Sequence, residues 1–154
     1  MQPFGILWPT IALAVLSLVV MVWVAVARAG HMKKHPPRPE DFATGEAALR
    51  YFQPVEMPAN NLRNLFEAPV LFYALIPLLL ITHQADRVQV VLAWIYVLLR
   101  VIHSVAHVVL GKVAVRAPAF WVSVIVLTAM WIGFAVDIAT AQSAYDAVMS
   151  NMTI

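Results

Sequence analysis

The sequence predicts an all-α protein, an integral membrane bundle of four helices, and three observations carry that prediction. The chain of 154 residues is 62% hydrophobic and only 12% charged, with a mean hydropathy of +0.82. Soluble domains average about 45–50% apolar and about 25% charged residues. Four apolar segments, 4–27, 60–82, 87–111 and 117–141, each approach or exceed the roughly 20 residues a membrane span needs. The connection His83-Gln84-Ala85-Asp86 is so short that the second and third segments must form an antiparallel helical hairpin. These features describe one four-helix transmembrane domain over 1–154. The absence of cysteine excludes disulfides, thiolate metal ligands and cysteine nucleophiles. Nucleic acid is excluded as a partner, because the basic residues are not gathered on a soluble domain of their own.

The first segment carries no charge. It lacks a basic start, exceeds the apolar length of a signal peptide and has no convincing small-residue cleavage site, so it reads as a retained helix. The connection over 28–59 opens with HMKKHPPRPEDF, where Pro36, Pro37 and Pro39 predict irregular or extended chain. The stretch TGEAALRYF that follows predicts a short interfacial helix with Thr44 as N-cap. Lys33 and Lys34 suit anionic lipid headgroups without any other ligand. In the second segment Pro69 and Pro77 predict a bent helix. In the fourth, Pro118 suits the first turn, and Asp137 is expected to partner His83 or Arg87. Trp8, Trp94, Trp121 and Tyr145 fall near segment ends, where aromatic belts sit, whereas Trp23 and Trp131 lie deeper and read as packing residues. The glycosylation pattern at Asn151-Met152-Thr153 carries little weight.

Orientation follows from the basic residues. Arg28, Lys33, Lys34, Arg38, Arg50, Arg63, Lys112 and Arg116 belong to the first and third connections, and Arg87 stands alone on the other side. That bias predicts a cytoplasmic first and third connection, with both termini on the opposite face.

The third segment closes with RVIHSVAHVVLGKVAVR, an arginine and two histidines inside a span. Arg100, His103 and His107 are spaced i, i+3 and i+7 and share one helical face, with Ser104 adjoining. Asn60, Asn64 and Glu67 form a matching stripe on the second helix. Counting outward from the hairpin turn sets Glu67 level with Ile102 and Asn64 level with Val105. At about 1.5 Å per residue, Glu67 and His103 lie roughly 25 Å from the turn. A charge facing lipid at such depth costs at least about 2.5–3.5 kcal/mol, so Glu67 is expected to pair with Arg100, to bond His103, or both. With Arg116 and Lys112 at the rim and Arg63 and Asn60 opposite, the cluster predicts an electropositive funnel. Such a funnel suits an anion with an apolar portion, a carboxylate peptide or a fatty-acid derivative.

Four spans, a long first connection, NLRNLFEAPVLFYAL opening the second helix and LLRVIHSVAHVVLGKVAVRAP closing the third resemble the MAPEG superfamily. These are the membrane-associated proteins of eicosanoid and glutathione metabolism. Asn64 and Glu67 match the family pattern in helix two, while Asn60 stands where an arginine is expected and Ala68 where a tyrosine often follows. Arg63 is a shifted substitute for that arginine. Arg100, His103 and Ser104 resemble the prostaglandin E synthase branch, His107 and Phe120 replace tyrosines, and Arg116 falls on the arginine credited with activating the glutathione thiol. The resemblance implies a homotrimer with glutathione held between subunits, and a transferase or peroxidase acting on lipophilic small molecules delivered from membrane lipid. Arg116 would activate the thiol. Asn64, Glu67 and Arg100 would organise the pocket with Arg63 and Lys112, and His103 and His107 would bind or shuttle protons. Two alternatives stay open: a non-enzymatic lipid-binding or regulatory protein of the same fold, and a metal site built from Glu67, His103 and His107.

Overall fold

The computed structural model describes residues 3–110 and 113–152. After a 3₁₀ turn at Pro3–Ile6 come helix α1 (Leu7–Lys34), a second 3₁₀ turn at Pro39–Phe42, α2 (Gly45–Phe52), a third at Gln53–Val55 and α3 (Met57–Ile81). Helix α4 (Arg87–Val105) runs into a π-helical turn at Ala106–Leu110, and α5 (Val113–Met152) completes the chain. The described residues contain no strand, and four helices are long and apolar enough to cross a membrane: Phe4–Lys34, Met57–Ile81, Arg87–Val108 and Arg116–Met152.

Each boundary has a local cause. Helix α1 outlasts its apolar run by two turns, and the basic His31, Lys33 and Lys34 occupy its last turn, where they oppose the helix dipole. It stops at His35, because the following Pro36 disfavours helical backbone in its predecessor. Helix α2 starts at Thr44, whose hydroxyl accepts from the Ala47 amide at 3.1 Å, so that N-cap expectation holds. Helix α3 continues unbroken through Pro69 and Pro77. It ends in a Schellman motif, in which Gln84 N–H donates to Leu79 C=O and His83 N–H to Leu80 C=O. His83 takes the left-handed position at φ 60°. Asp86 then caps α4 by accepting from Gln89 N–H at 2.8 Å. At its other end α4 loosens into the π turn that carries His107.

Two boundaries correct the sequence reading. The first connection is shorter than 28–59, since α1 occupies it up to Lys34. The fourth helix is far longer than 117–141 and spans 40 residues. At 1.5 Å per residue this is about 60 Å, twice the hydrocarbon thickness. Pro118 accordingly lies in the second turn of α5, not its first.

Helix α1 lies against α3 and α4, α4 runs along α5, and the π turn touches both α3 and α5. Helices α3 and α4 meet mainly through large side chains, with the Phe72 and Tyr96 rings stacked at 4.9 Å. Leu13, Phe72, Leu75, Leu79, Tyr96 and Met130 are wholly buried and form the centre of the bundle. Gln89, buried nearby, donates to the Met130 carbonyl at 3.0 Å. Outward faces are apolar on all four spans, for example Val15, Val22, Val70, Leu98 and Ile125, as a lipid solvent requires. Trp131 packs on the core as expected, but Trp23 does not: it is 41% exposed on the outer face of α1.

Candidate functional site

The polar residues of α3, α4, the π turn and α5 converge at the end of the bundle that bears the first connection. They line an open cleft of about 510 Å³, with Asn60, Arg63, Asn64 and Glu67 on one wall and His103, His107, Arg116 and Phe120 on the other. Met57, Ala117 and Trp121 add apolar surface.

Hydrogen bonds fix the second wall. Arg116 Nη1 donates to His107 Nε2 at 3.0 Å. Guanidinium can only donate, so this imidazole is neutral with its proton on Nδ1. His107 Nδ1 is buried and has no hydrogen-bond partner among the described residues. The Arg116 carbonyl lies 3.0 Å from His103 Nδ1, which must therefore carry the ring proton. His103 Nε2 is left to accept from Asn64 Nδ2 at a long 3.5 Å. The two imidazoles meet edge to face at 5.6 Å, and Phe120 leans on His103 at 5.7 Å.

Arg100 is wholly buried behind this wall. Its Nε donates to the Tyr96 hydroxyl at 3.3 Å and its Nη2 to the Asn64 carbonyl at 3.2 Å. The guanidinium carbon sits 5.0 Å from the Phe120 ring centre and 5.6 Å from that of Tyr96. Among the described residues Nη1 has no hydrogen-bond partner and no carboxylate pairs with this cation.

The expected Glu67–Arg100 ion pair is therefore not formed. Glu67 is exposed on α3 and makes no hydrogen bond or ion pair among the described residues, to Arg100 or to His103. The reason is angular. Asn64 lies on the face of α3 turned to α4, and its own carbonyl and amide take the contacts assigned to Glu67, which projects into the cleft from the neighbouring face. Depth counting put the two helices in register but could not supply their rotation. Asp137 likewise pairs with neither His83 nor Arg87 among the described residues. Glu67, His103 and His107 do not form a metal-binding group there either. Asn64, His103, His107, Arg116, Glu67 and Arg63 share the cleft as the spacing suggested, whereas Lys112 lies outside the described residues.

Three contributors escaped the sequence reading. Tyr96 stands one turn before Arg100, and that i, i+4 spacing was a usable signal. Asn61 is wholly buried beside the stripe, with both amide atoms unpartnered among the described residues, but it sits one position off the counted face. Arg28 reaches Glu56 at 3.3 Å and the Phe52 ring at 4.8 Å, tying α1 to the start of α3. Nothing in the local sequence announces a contact between residues so far apart.

Fold and site together define a class: a multi-pass α-helical membrane protein with a cation-rich cleft at one end of its bundle. The chain belongs to the MAPEG family, whose sequence profile matches residues 6–136. No curated protein and no solved structure matches the chain.

Proposed function

We propose that the protein is a membrane thiol transferase or peroxidase that joins glutathione, or a related thiol, to lipophilic electrophiles, and that Arg116 activates the thiol. The observation that carries this reading is the state of Arg116. Its guanidinium lines the cleft against a neutral imidazole, with no carboxylate neutralising it among the described residues. A thiol has a pKa of about 8.5 in water, and an adjacent cation lowers it, raising the fraction of nucleophilic thiolate. In conjugation the thiolate sulfur forms a bond to the electrophilic carbon, the displaced pair leaves with that group, and the thiol proton is released. In peroxide reduction two thiols become one disulfide as the hydroperoxide yields an alcohol and water.

The remaining residues suit a peptide thiol. Arg63 supplies positive charge for carboxylates, Glu67 a counter-charge for an ammonium, and Asn64 and His103 polar contacts at the back of the cleft. A homotrimer accounts for the exposed Glu67, because a carboxylate at this depth is poorly tolerated against lipid and a neighbouring subunit would cover it. The distribution of basic residues supports a cytoplasmic location for the cleft. Thiol conjugation and hydroperoxide reduction, measured in detergent on wild type and Arg116→Ala, test the assignment. Removing the cation should slow turnover on the order of 10²-fold; equal rates would remove Arg116 from the chemistry. A second reading, lipid binding without turnover, is favoured by the departures at Asn60, Ala68, His107 and Phe120, and absence of both activities in wild type would select it.

A further inference from the structure

Behind the second wall of the cleft lies a further polar layer, turned toward the interior of the bundle. Asn61 is wholly buried, and Ser104 and His107 are 4% and 3% exposed. Among the described residues Asn61 Oδ1 and Nδ2, Ser104 Oγ and His107 Nδ1 have no hydrogen-bond partner. Helix register brings the three residues together. The stacked Phe72 and Tyr96 rings and the Asn64–His103 contact fix how α3 and α4 run antiparallel. One turn further along each helix, Asn61 stands opposite Ser104 and His107, where α3 touches the π turn. Asn60 and Asn64 line the cleft, whereas Asn61 is rotated about 100° from Asn60, into the bundle. The His107 ring spans both environments: Nε2 accepts from Arg116 at 3.0 Å on the cleft side, and Nδ1–H is buried. An unpaired buried N–H in a membrane span is costly. Turning the ring or changing its tautomer would relieve that cost, and either would take away the acceptor that holds Arg116.

We propose that Asn61 and Ser104 hold one ordered water that accepts the hydrogen bond of His107 Nδ1–H, and that Asn61 is thereby a positioning residue for Arg116. The inventory of groups suits a single water. His107 Nδ1–H donates to its oxygen, and its two hydrogens go to Asn61 Oδ1 and Ser104 Oγ. That makes about three bonds, the usual number for a buried water. With Nδ1 so occupied, the imidazole keeps Nε2 as its acceptor, and the guanidinium stays clamped at the cleft wall. Asparagine and serine suit this place because each offers an acceptor without a charge. A carboxylate there would favour the doubly protonated imidazolium, which cannot accept from a guanidinium. The proposal rests on the thiol-activating role proposed for Arg116 above, and it concerns what holds that residue in place, not what the cleft binds.

Nitrogen NMR of the full chain in detergent, isotope-labelled at histidine, reads the tautomer directly, with His107→Gln identifying the signal. Wild type should show His107 protonated on Nδ1 and bare on Nε2. Asn61→Leu should bring up the Nε2-protonated form, and Asn61→Ser, which keeps an acceptor and leaves room for the water, should restore the wild-type spectrum. In the thiol assay Asn61→Leu should slow turnover about tenfold, the scale of one lost hydrogen bond. The same change should cost nothing further in an Arg116→Ala background, because it acts only through that guanidinium. A wild-type His107 protonated on Nε2, or a tautomer unmoved by Asn61→Leu, overturns the water bridge. Equal losses of turnover in the two backgrounds overturn the positioning role. If Asn61→Leu fails to fold, Ser104→Ala removes the other acceptor and is judged by the same outcomes. Wild type without thiol activity would sink the function proposed above, and the tautomer of wild type and variants would still decide the water bridge.

Discussion

At the scale of single residues, the arrangement around Arg100 shows how a membrane span tolerates a cation with no anion beside it among the described residues. The charge is spread over a phenol oxygen, a backbone carbonyl and two π faces, each a weak partner. The Tyr96 hydroxyl is the strongest side-chain partner of the set. Tyr96→Phe keeps the Phe72 stacking and removes only that acceptor. It should destabilise the protein by about 1.5–3 kcal/mol, the usual worth of a hydrogen bond to a charged group. Unfolding by titration with denaturing detergent measures it, and a change below half a kcal/mol would mean that the Asn64 carbonyl and the π faces hold the guanidinium without the phenol. Arg100, His103 and His107 were legible as one face from their spacing, because helical periodicity fixes which residues share a side. Their partners were not legible, since which acceptor a guanidinium reaches depends on helix rotation about the long axis.

The helix ends and the turns between them come next. The hairpin between α3 and α4 places a histidine at φ 60°, a conformation that costs most L-residues roughly 1–2 kcal/mol. His83→Val, β-branched at that position, should lower stability by about this amount, and His83→Gly should not lower it at all. Thermal unfolding of the three proteins side by side gives the order, and a valine variant as stable as wild type would show that the Schellman turn is not retained. The π turn at Ala106–Leu110 matters more for function. It widens the last turn of α4 just where His107 must meet Arg116, so the guanidinium is clamped by an imidazole nine positions earlier in the chain. A regular helical count puts His107 on the polar face, but only the widened turn settles its contact. No residue pattern marks a π turn, because it reflects a compromise between packing partners and not a propensity.

Across the whole molecule, the lopsided distribution of arginine and lysine governs how the bundle is inserted. With no native cysteine, the chain is ready for accessibility mapping by single cysteines. Ala48→Cys on α2 should react with a membrane-impermeant maleimide only when the cytoplasmic face is opened, and Gln84→Cys in the hairpin only from the other face. The reverse pattern would invert the orientation proposed for the cleft. Helix α5, about 60 Å long, must project well beyond the bilayer on the face opposite the cleft. Its polar end, with Gln142 bonded to Asp146 at 2.8 Å, is consistent with water on that side.

Composition and the lengths of four apolar runs determined the class of this protein, because a lipid solvent permits so few ways to satisfy a backbone. The spacing of Arg100, His103 and His107, and the matched depth of Asn64, determined which residues gather at one end. Only the tertiary structure decided that Asn64 and not Glu67 answers Arg100, that His107 holds Arg116, and that Phe120 screens the buried cation from the cleft. Those outcomes depend on how each helix is rotated and where one of them widens. Rotation is set by the packing of neighbouring helices on all sides at once, which no single segment encodes.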